Sequence, residues 1–335
     1  MDLQTAWFLL FGVLLTGYAV LDGFDLGVGV LSLFARGDTE KRLHLNAIGP
    51  VWDGNEVWLL TAAGSLFAAF PPVYATVFSG FYVAFMVLLA ALVARAVSFE
   101  FRSKVEAPAW RRTWDLVFGL GSLLPALLYG IAVGNVLRGI PLDDRGEFAG
   151  TFLGLLHPFP LLVGLLTLAM FVTHGALWMA GKTGEDLRAR MIRTAGRACW
   201  VWAGGFGITS LAAASWSPVF APGRPLVWLA LLLVAGGLIG VPTLLRRGSL
   251  RGAFLASSVA VAGHVGLVGA SLYPRLVPAI GDLSRSLTIH NASSTPRTLG
   301  VMLVVALVGM PVVIAYTAFV YRVFKGRVTL DEHSY

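Results

Sequence analysis

The sequence predicts an all-α integral membrane protein that crosses the bilayer about nine times. Of its 335 residues, 57% are apolar and only 13% are charged, whereas soluble domains carry about 25% charged residues. The segment 64–94 contains no charged residue at all. A membrane span must be a helix of about 20 apolar residues or a strand of a closed barrel. The apolar runs here are continuous and helix-length rather than alternating, which favours helices.

The breaks between apolar runs define the individual elements. Prolines stand at or near these breaks, as expected of residues that interrupt helices: Pro50, Pro71, Pro72, Pro218, Pro222, Pro225, Pro274 and Pro296. We expect one polytopic membrane domain over 1–335, with helices at about 7–34, 51–70, 73–97, 114–137, 152–180, 197–216, 226–245, 253–273 and 298–323.

Lysine and arginine residues predict the orientation in the membrane. Of the 25, 18 lie in segments that follow odd-numbered predicted helices. Six lie in the other segments: Arg138, Arg145, Arg224, Arg275, Arg285 and Arg297. Because short loops rich in Lys and Arg remain in the cytoplasm, the N-terminus is predicted outside and the C-terminus inside. The net charge of +7 therefore reflects membrane topology and does not indicate a nucleic-acid partner.

Acidic residues within apolar segments are the strongest candidates for chemistry. An ionisable side chain at membrane depth costs about 2.5 kcal/mol or more, and such residues are rare and usually functional. Asp22 and Asp25 lie three residues apart in the first predicted helix, among apolar residues and glycines. Asp53 and Glu56 have the same spacing at the start of the second, which places each pair on neighbouring helical faces.

Arg95 and Glu100 close the third predicted helix on the side where the second begins. Together with Asp25, Asp53 and Glu56, they gather at the cytoplasmic end of three consecutive helices, and a chain of acids with water can conduct protons. Alternatively, the acids at the helix ends are only interfacial, and Arg95 snorkels to the surface or pairs with one of them. Asp22 and Asp25, with apolar flanks on both sides, are not explained in this way.

Two histidines, His174 and His264, lie within predicted helices. They could face each other and ligate haem or a metal, or each could be a hydrogen-bonded histidine of the core. The sequence has no HExxH, CxxC, P-loop or GxSxG motif, and its single cysteine, Cys199, leaves no intramolecular disulfide. It does not contain a complete catalytic site.

The acid-bearing segments resemble subunit II of the cytochrome bd quinol oxidases. The resemblance lies in LDGFDLGVG at 21–29, GPVWDGNEVWLLTAAGSLFAAFPPVYATVFSGFYVAF at 49–85, FEFRSK at 99–104 and LTIHNASS at 287–294. It implies a fold of two four-helix bundles plus one peripheral helix in a bacterial cytoplasmic membrane. It also implies a haem-bearing partner, subunit I, which carries haems b and d and the site of quinol oxidation.

The resemblance further implies that the complex reduces oxygen to water with quinol electrons and takes protons from the cytoplasm. This chain would carry no haem, would stabilise subunit I and would supply part of the proton pathway. The matching positions are Asp25, Asp53 and Glu100, where a relative can carry Asp in place of Glu100. Glu56 stands where a relative can carry Gln, so Glu56, Asp22 and Arg95 are secondary candidates.

Further partners that the resemblance implies are membrane lipid, small single-helix accessory subunits and, in some relatives, a structural quinone. A rival interpretation is a proton-coupled secondary transporter that uses Asp22 and Asp25, because glycine-rich helices with buried acids also occur there. Against it, the membrane acids are confined to the first third of the chain, and the second half has no matching broken helices.

Overall fold

The computed structural model describes residues 2–219 and 223–330, apart from the side chain of Glu185. Eleven α-helices run through these residues: α1 (Leu3–Ser32), α2 (Gly37–Ile48), α3 (Trp52–Ala69), α4 (Pro71–Gly80), α5 (Tyr82–Phe101), α6 (Pro108–Arg138), α7 (Pro158–Lys182), α8 (Glu185–Trp216), α9 (Pro225–Arg246), α10 (Leu250–Leu272) and α11 (Pro296–Val323). Two short antiparallel strands, β1 (Arg275–Val277) and β2 (Leu287–Thr288), are a minor departure from the predicted all-α class.

Seven of the helices in the described part of the chain are long and apolar enough to cross a membrane: α1, α5, α6, α7, α9, α10 and α11. The protein is therefore a multi-pass membrane protein. Helix α3 opens with the polar stretch WDGNE, and α8 opens with charged residues, which dilutes their apolar content. Nine crossings and the arrangement in two four-helix bundles remain predictions.

The region 73–97, expected as one helix, corresponds to two helices. Helix α4 ends at Gly80 and α5 begins at Tyr82, with Phe81 between them. Gly80 lies against the ring of Phe148, where an added Cβ would come within 2.6 Å of the ring. This close contact with the loop 139–157 accompanies the break, and an apolar run alone gives no sign of it.

The boundaries of other helices also differ from those expected. Helix α6 begins at Pro108 rather than at 114, and α8 begins at Glu185 rather than at 197. Both early turns are rich in charge, so a search for apolar runs finds only the membrane part of each helix. In the opposite direction, α7 begins at Pro158 rather than at 152, because the preceding residues form a separate 3₁₀ turn.

Helix α2 was not predicted at all. It is a short helix in the connection from α1 to α3, and its sequence is mostly polar. Its buried face carries His44, Leu45, Ala47 and Ile48, so α2 is an amphipathic helix that packs on the ends of the membrane helices. An amphipathic surface helix lacks the continuous apolar run by which the spans were recognised.

Helix α1 lies at the centre of the molecule and contacts α3, α6, α7 and α10. We call α1, α3, α5 and α6 the first helix group, and α7, α8, α9 and α10 the second helix group. The groups meet where α1 crosses α7: a Cβ on Gly27 would lie 1.9 Å from the carbonyl oxygen of Phe171, and one on Gly175 would lie 2.6 Å from the backbone of Gly27. Only glycine permits backbones this close. Helix α11 is peripheral and mostly exposed.

Candidate functional site

Four charged side chains and one amide meet inside the first helix group. Asp22 and Asp25 come from α1, Asn55 and Glu56 from α3, and Arg95 from α5. We call these five residues the polar cluster. Asp22, Asp25 and Arg95 have no exposed surface, so the charges of the cluster must be balanced within the protein.

Arg95 is the cation at the centre of the polar cluster. Its Nη1 donates to Glu56 Oε1, and its Nη2 lies 3.4 Å from Asp22 Oδ1. The guanidinium carbon also lies 5.9 Å from the centre of the Trp52 ring, within the range of a cation–π contact. Arg95 is therefore a buried, paired arginine and does not snorkel to the surface. One cation faces two carboxyl groups at contact distance.

Asp25 has a different environment from Asp22. Asn55 Nδ2 donates to Asp25 Oδ2 at 2.7 Å, and the same amide is fixed by Tyr321, whose hydroxyl donates to Asn55 Oδ1 at 3.0 Å. The second carboxyl oxygen of Asp25, like that of Asp22, is buried without a hydrogen-bond partner among the described residues. Asp25 is thus a buried acid held by an amide, with one oxygen available to a further partner.

The other two primary candidates lie at the surface of this chain. Asp53 is exposed in the first turn of α3, where the N-terminal end of the helix dipole favours an acid. Glu100 is exposed at the end of α5. Glu56, with a side chain 21% exposed, is intermediate in exposure between these two residues and the fully buried acids. The structure therefore brings Asp22, Glu56 and Arg95 into contact and leaves Asp53 and Glu100 outside the cluster.

Sequence reasoning missed two members of this environment. Asn55 belongs to the same stretch as Asp53 and Glu56, and its polarity inside a predicted span was an unused signal. Tyr321 lies 266 residues from Asn55, on a helix whose composition suggests only lipid contact. No local pattern could identify it.

The two histidines predicted within membrane helices are held by hydrogen bonds within the core. His174 contacts Ser257 Oγ at 2.7 Å and the carbonyl oxygen of Val20 at 3.0 Å. His264 contacts the carbonyl oxygen of Ala260 at 2.9 Å, and Trp202 Nε1 lies 3.5 Å from its other nitrogen. Both ring nitrogens of each histidine therefore have protein partners, and the structure supports the core interpretation over that of two facing ligands.

A network of ion pairs lies around α2, at the end of the first helix group where α5 ends and α6 begins. Arg102 is 2% exposed and donates to Asp38 of α2 and Asp115 of α6, each at 2.6 Å. Glu40 of α2 pairs with Arg190 of α8. Partial burial disfavours ionised Asp38, but the hydrogen bond and charge of Arg102 outweigh it and hold the pKa of Asp38 below its usual value. The network fixes α2 across both helix groups.

Comparison with known proteins places this chain in one family. The family described as cytochrome bd terminal oxidase subunit II matches residues 3–324. Cytochrome bd-I ubiquinol oxidase subunit 2 of Escherichia coli (strain K12) is 39% identical, covering 98% of this chain and 96% of the relative. Cytochrome bd ubiquinol oxidase subunit 2 of Bacillus subtilis (strain 168) is 34% identical, covering 99% and 98%.

A solved structure has the same fold. It is described as the structure of bd oxidase from Geobacillus thermodenitrificans, with a TM-score of 0.81 over 97% of this chain and 99% of that chain, at 18% identity. The family match spans nearly all of this sequence, and the relatives are matched over nearly their whole length. The chain therefore belongs to the cytochrome bd terminal oxidase subunit II family, as its acid-bearing motifs predict.

Proposed function

We propose that this chain is the non-haem subunit of a cytochrome bd quinol:oxygen oxidoreductase. In this proposal it stabilises the haem-bearing subunit I and supplies part of the pathway that carries cytoplasmic protons to the site of oxygen reduction. The observation that carries the proposal is the polar cluster, in which Asp22 and Glu56 contact the cation Arg95, and Asp25 is held by Asn55, inside a membrane protein.

The geometry of the polar cluster suits proton transfer better than simple ion pairing. Asp25 is bonded to a neutral amide, and its second oxygen has no partner among the described residues. A proton can therefore be placed on Asp25 or removed from it without breaking a direct bond to a cation. Asp22 and Glu56, which contact Arg95 directly, are better suited to balance its charge.

Glu56 is the charged member of the polar cluster with exposed surface. Its side chain is 21% exposed and bonded to Arg95, whereas Asp22 is fully buried. Asp53, one turn earlier on α3, lies close enough to Glu56 for their charges to interact, and Glu100 is exposed at the end of α5. In the proposed pathway, Asp53 and Glu100 collect protons at the cytoplasmic surface and Asp25 passes them inward.

Contacts between loops support the grouping of loops on each side of the membrane that the Lys and Arg bias predicts. Ile140, after α6, exchanges backbone hydrogen bonds with the loop 274–295, after α10. At the other end, Val328 N donates to Lys182 O, which joins the segments after α11 and α7. Each contact joins segments that the Lys and Arg bias assigns to the same side. The proposed setting is a bacterial cytoplasmic membrane with the N-terminus outside.

Haems b and d are assigned in this proposal to subunit I rather than to this chain. The partners of His174 and His264 support this assignment, since each ring nitrogen already has a protein contact. The rival transporter function gains no support from relatives described as oxidase subunits.

Assembly can be tested by expression with and without subunit I. The chain expressed alone in detergent should show no stoichiometric haem in its visible spectrum, whereas the complex should contain haem and oxidise quinol. Stoichiometric haem on the isolated chain would contradict the non-haem assignment. Failure of this chain to copurify with subunit I would contradict the stabilising role.

The pathway can be tested with amide variants of the complex. Asp25→Asn, Asp53→Asn and Glu100→Gln keep shape and hydrogen bonding but remove proton exchange, so oxygen uptake per haem should fall while haem content stays normal. Asp144→Asn is the matched control, because that side chain is 85% exposed in the opposite loop. Normal turnover in both Asp25→Asn and Asp53→Asn would exclude the relay, and a parallel loss of haem and yield would indicate a structural role.

A further inference from the structure

The side-chain amide of Asn55 is held in one orientation by its neighbours. Its Nδ2 donates to the Leu21 carbonyl oxygen at 3.2 Å as well as to Asp25 Oδ2 at 2.7 Å. Because a backbone carbonyl can only accept a hydrogen bond, the amide nitrogen must face α1 and the amide oxygen must face away from it. Tyr321 occupies that other side, where its hydroxyl donates to Asn55 Oδ1 at 3.0 Å. Both N–H groups and the oxygen of the amide therefore have partners.

This orientation determines what Asn55 offers to Asp25. An N–H group directed at Oδ2 stabilises the ionised carboxylate. Because Oδ2 already accepts this N–H, a proton that binds Asp25 is carried by Oδ1. An amide turned the other way would direct its own oxygen at Oδ2 and repel the carboxylate. The way in which Asp25 takes up and releases a proton therefore depends on what holds the amide.

Helix α11 does not fix Tyr321 by close packing along its length. Leu299, near the start of α11, is the only buried residue of this helix, and its carbonyl oxygen accepts from Trp7 Nε1 at 2.9 Å. Further along, a cavity of about 340 Å³ lies between α11 and the helices α1 and α3. The cavity is lined by Leu21, Trp58, Ile314, Thr317, Ala318 and Tyr321. The position of Tyr321 must therefore be fixed from another direction.

The end of α7 provides this second support. Lys182, its last residue, donates from Nζ to the Phe324 carbonyl oxygen at 2.6 Å, and the Lys182 carbonyl oxygen accepts from Val328 N at 2.8 Å. We call these contacts of Lys182 with Phe324 and Val328 the C-terminal clasp. A lysine is a favourable partner for a free carbonyl at the end of a helix. Tyr321, three residues before Phe324, also lies edge to face against Trp178 of α7, with ring centroids 5.8 Å apart.

We propose that Tyr321 is a positioning residue for the proton relay. The C-terminal clasp holds Tyr321 against Asn55, and Tyr321 in turn keeps the N–H of Asn55 directed at Asp25. This inference rests on the proposed function of Asp25 in the pathway. It gives the peripheral helix α11 a role at the polar cluster, and it connects that cluster to the second helix group through Lys182 at the end of α7.

Oxygen uptake per haem in a double-mutant cycle of the assembled complex tests the proposal. Tyr321→Phe keeps the ring and removes the hydroxyl, so uptake should fall about 2- to 10-fold, as for the loss of one hydrogen bond, with normal haem content. In an Asn55→Leu background, Tyr321→Phe should have no further effect, because it acts through the amide. Tyr316→Phe, at a position 64% exposed on the same helix, is the control and should match the wild type. Equal fold-losses in the two backgrounds would overturn the proposal.

A density map of the Tyr321→Phe complex separates this inference from the proton pathway. The Asn55 side chain should turn away from Asp25 or lose its density, whereas Tyr316→Phe should keep the contact. An unchanged contact between Asn55 and Asp25 in Tyr321→Phe would overturn the positioning role. If Asp25→Asn shows normal turnover, the relay fails and this map still decides the positioning role. If Tyr321→Phe does not assemble, Lys182→Met, which removes the side-chain donor of the C-terminal clasp, decides by the same map.

Discussion

The two helix groups treat their buried polar atoms in opposite ways. Every buried side-chain nitrogen or oxygen that lacks a hydrogen-bond partner in the described part of the chain belongs to the first helix group, except Nε2 of His44 on α2. In the second helix group, the buried polar side chains of His174, Thr173 and Ser257 all have partners within the core. The same membrane environment therefore surrounds one satisfied core and one unsatisfied core.

This difference indicates which group is built for stability and which for function. Burying a polar group without a partner is unfavourable, and burying an unpaired charge much more so. The second group avoids these costs, as expected of a scaffold. The first group retains Asp22, Asp25 and Arg95 at full burial, with one oxygen of each acid free of a partner among the described residues. Proteins depart from full satisfaction mainly at functional sites.

Removing the central cation should have the largest effect on stability. Arg95→Met leaves Asp22 and Glu56 without their shared partner, and breaking a buried ion pair costs about 3–5 kcal/mol. We expect a large loss of assembled complex and a lower unfolding temperature. The control is Arg285→Met, which removes an exposed pair with Asp144 that contributes about 0–1 kcal/mol. Equal stability of the two variants would show that the ion pairs of Arg95 with Asp22 and Glu56 do not stabilise the complex.

Separating the two groups should have the next largest effect. In Gly175→Ala the new Cβ would lie 2.6 Å from the backbone of Gly27, so α1 and α7 must move apart. Overpacking of this kind costs about 1–3 kcal/mol. Gly184→Ala is the control, because no atom lies within 4 Å of its added Cβ. The unfolding temperatures of the two variant complexes measure the difference. An unfolding temperature equal to that of the wild type for Gly175→Ala would show that α1 and α7 are further apart than described.

Disrupting the satisfied core should lower stability without affecting activity. His174→Leu removes two buried hydrogen bonds and leaves Ser257 and the Val20 carbonyl without that partner, at a cost of about 1–3 kcal/mol. Haem content and oxygen uptake per haem should stay normal in the complex that assembles. Loss of a haem signal from a correctly assembled complex would instead make His174 a ligand and reverse the comparison.

The direction of the pathway can be checked without changing stability. In a Cys199→Ser background, single cysteines at Gly184 and Ser284 test the two sides, since both positions are exposed. An impermeant thiol reagent applied to intact cells should label Ser284→Cys and not Gly184→Cys. The helical start of α8 at Glu185 makes Gly184 the best remaining loop position. The opposite labelling pattern would invert the topology and place the polar cluster at the outer end.

The sequence predicts the seven apolar membrane helices and the buried acids, but not which residues pair with those acids. Continuous apolar runs identify membrane helices, and apolar flanks correctly mark Asp22 and Asp25 as buried. Spacing along a helix shows which end a residue occupies, but not which face meets a neighbour. For this reason helical spacing does not show that Asp53 and Glu100 lie at the surface whereas Glu56 contacts Arg95.

Long-range and amphipathic features were beyond sequence reasoning for a physical reason. The bond between Tyr321 and Asn55 joins positions at opposite ends of the chain and depends on where α11 docks. Helix α2 has no apolar run, because only one of its faces is buried. The first feature arises from tertiary packing, whereas the signal for α2 is the helical spacing of Leu45 and Ile48, which a search for apolar runs does not use.

Proton uptake during a single reaction with oxygen tests the central claim most directly. The reduced complex is mixed with oxygen in the presence of a pH-indicator dye, and the Asp25→Asn and Asp144→Asn variants are compared with the wild type. If Asp25 relays protons, uptake in Asp25→Asn should slow by about 10²-fold, in the range typical for loss of a proton-transfer group, with haem content unchanged and Asp144→Asn normal. Uptake at the wild-type rate in Asp25→Asn would contradict the account.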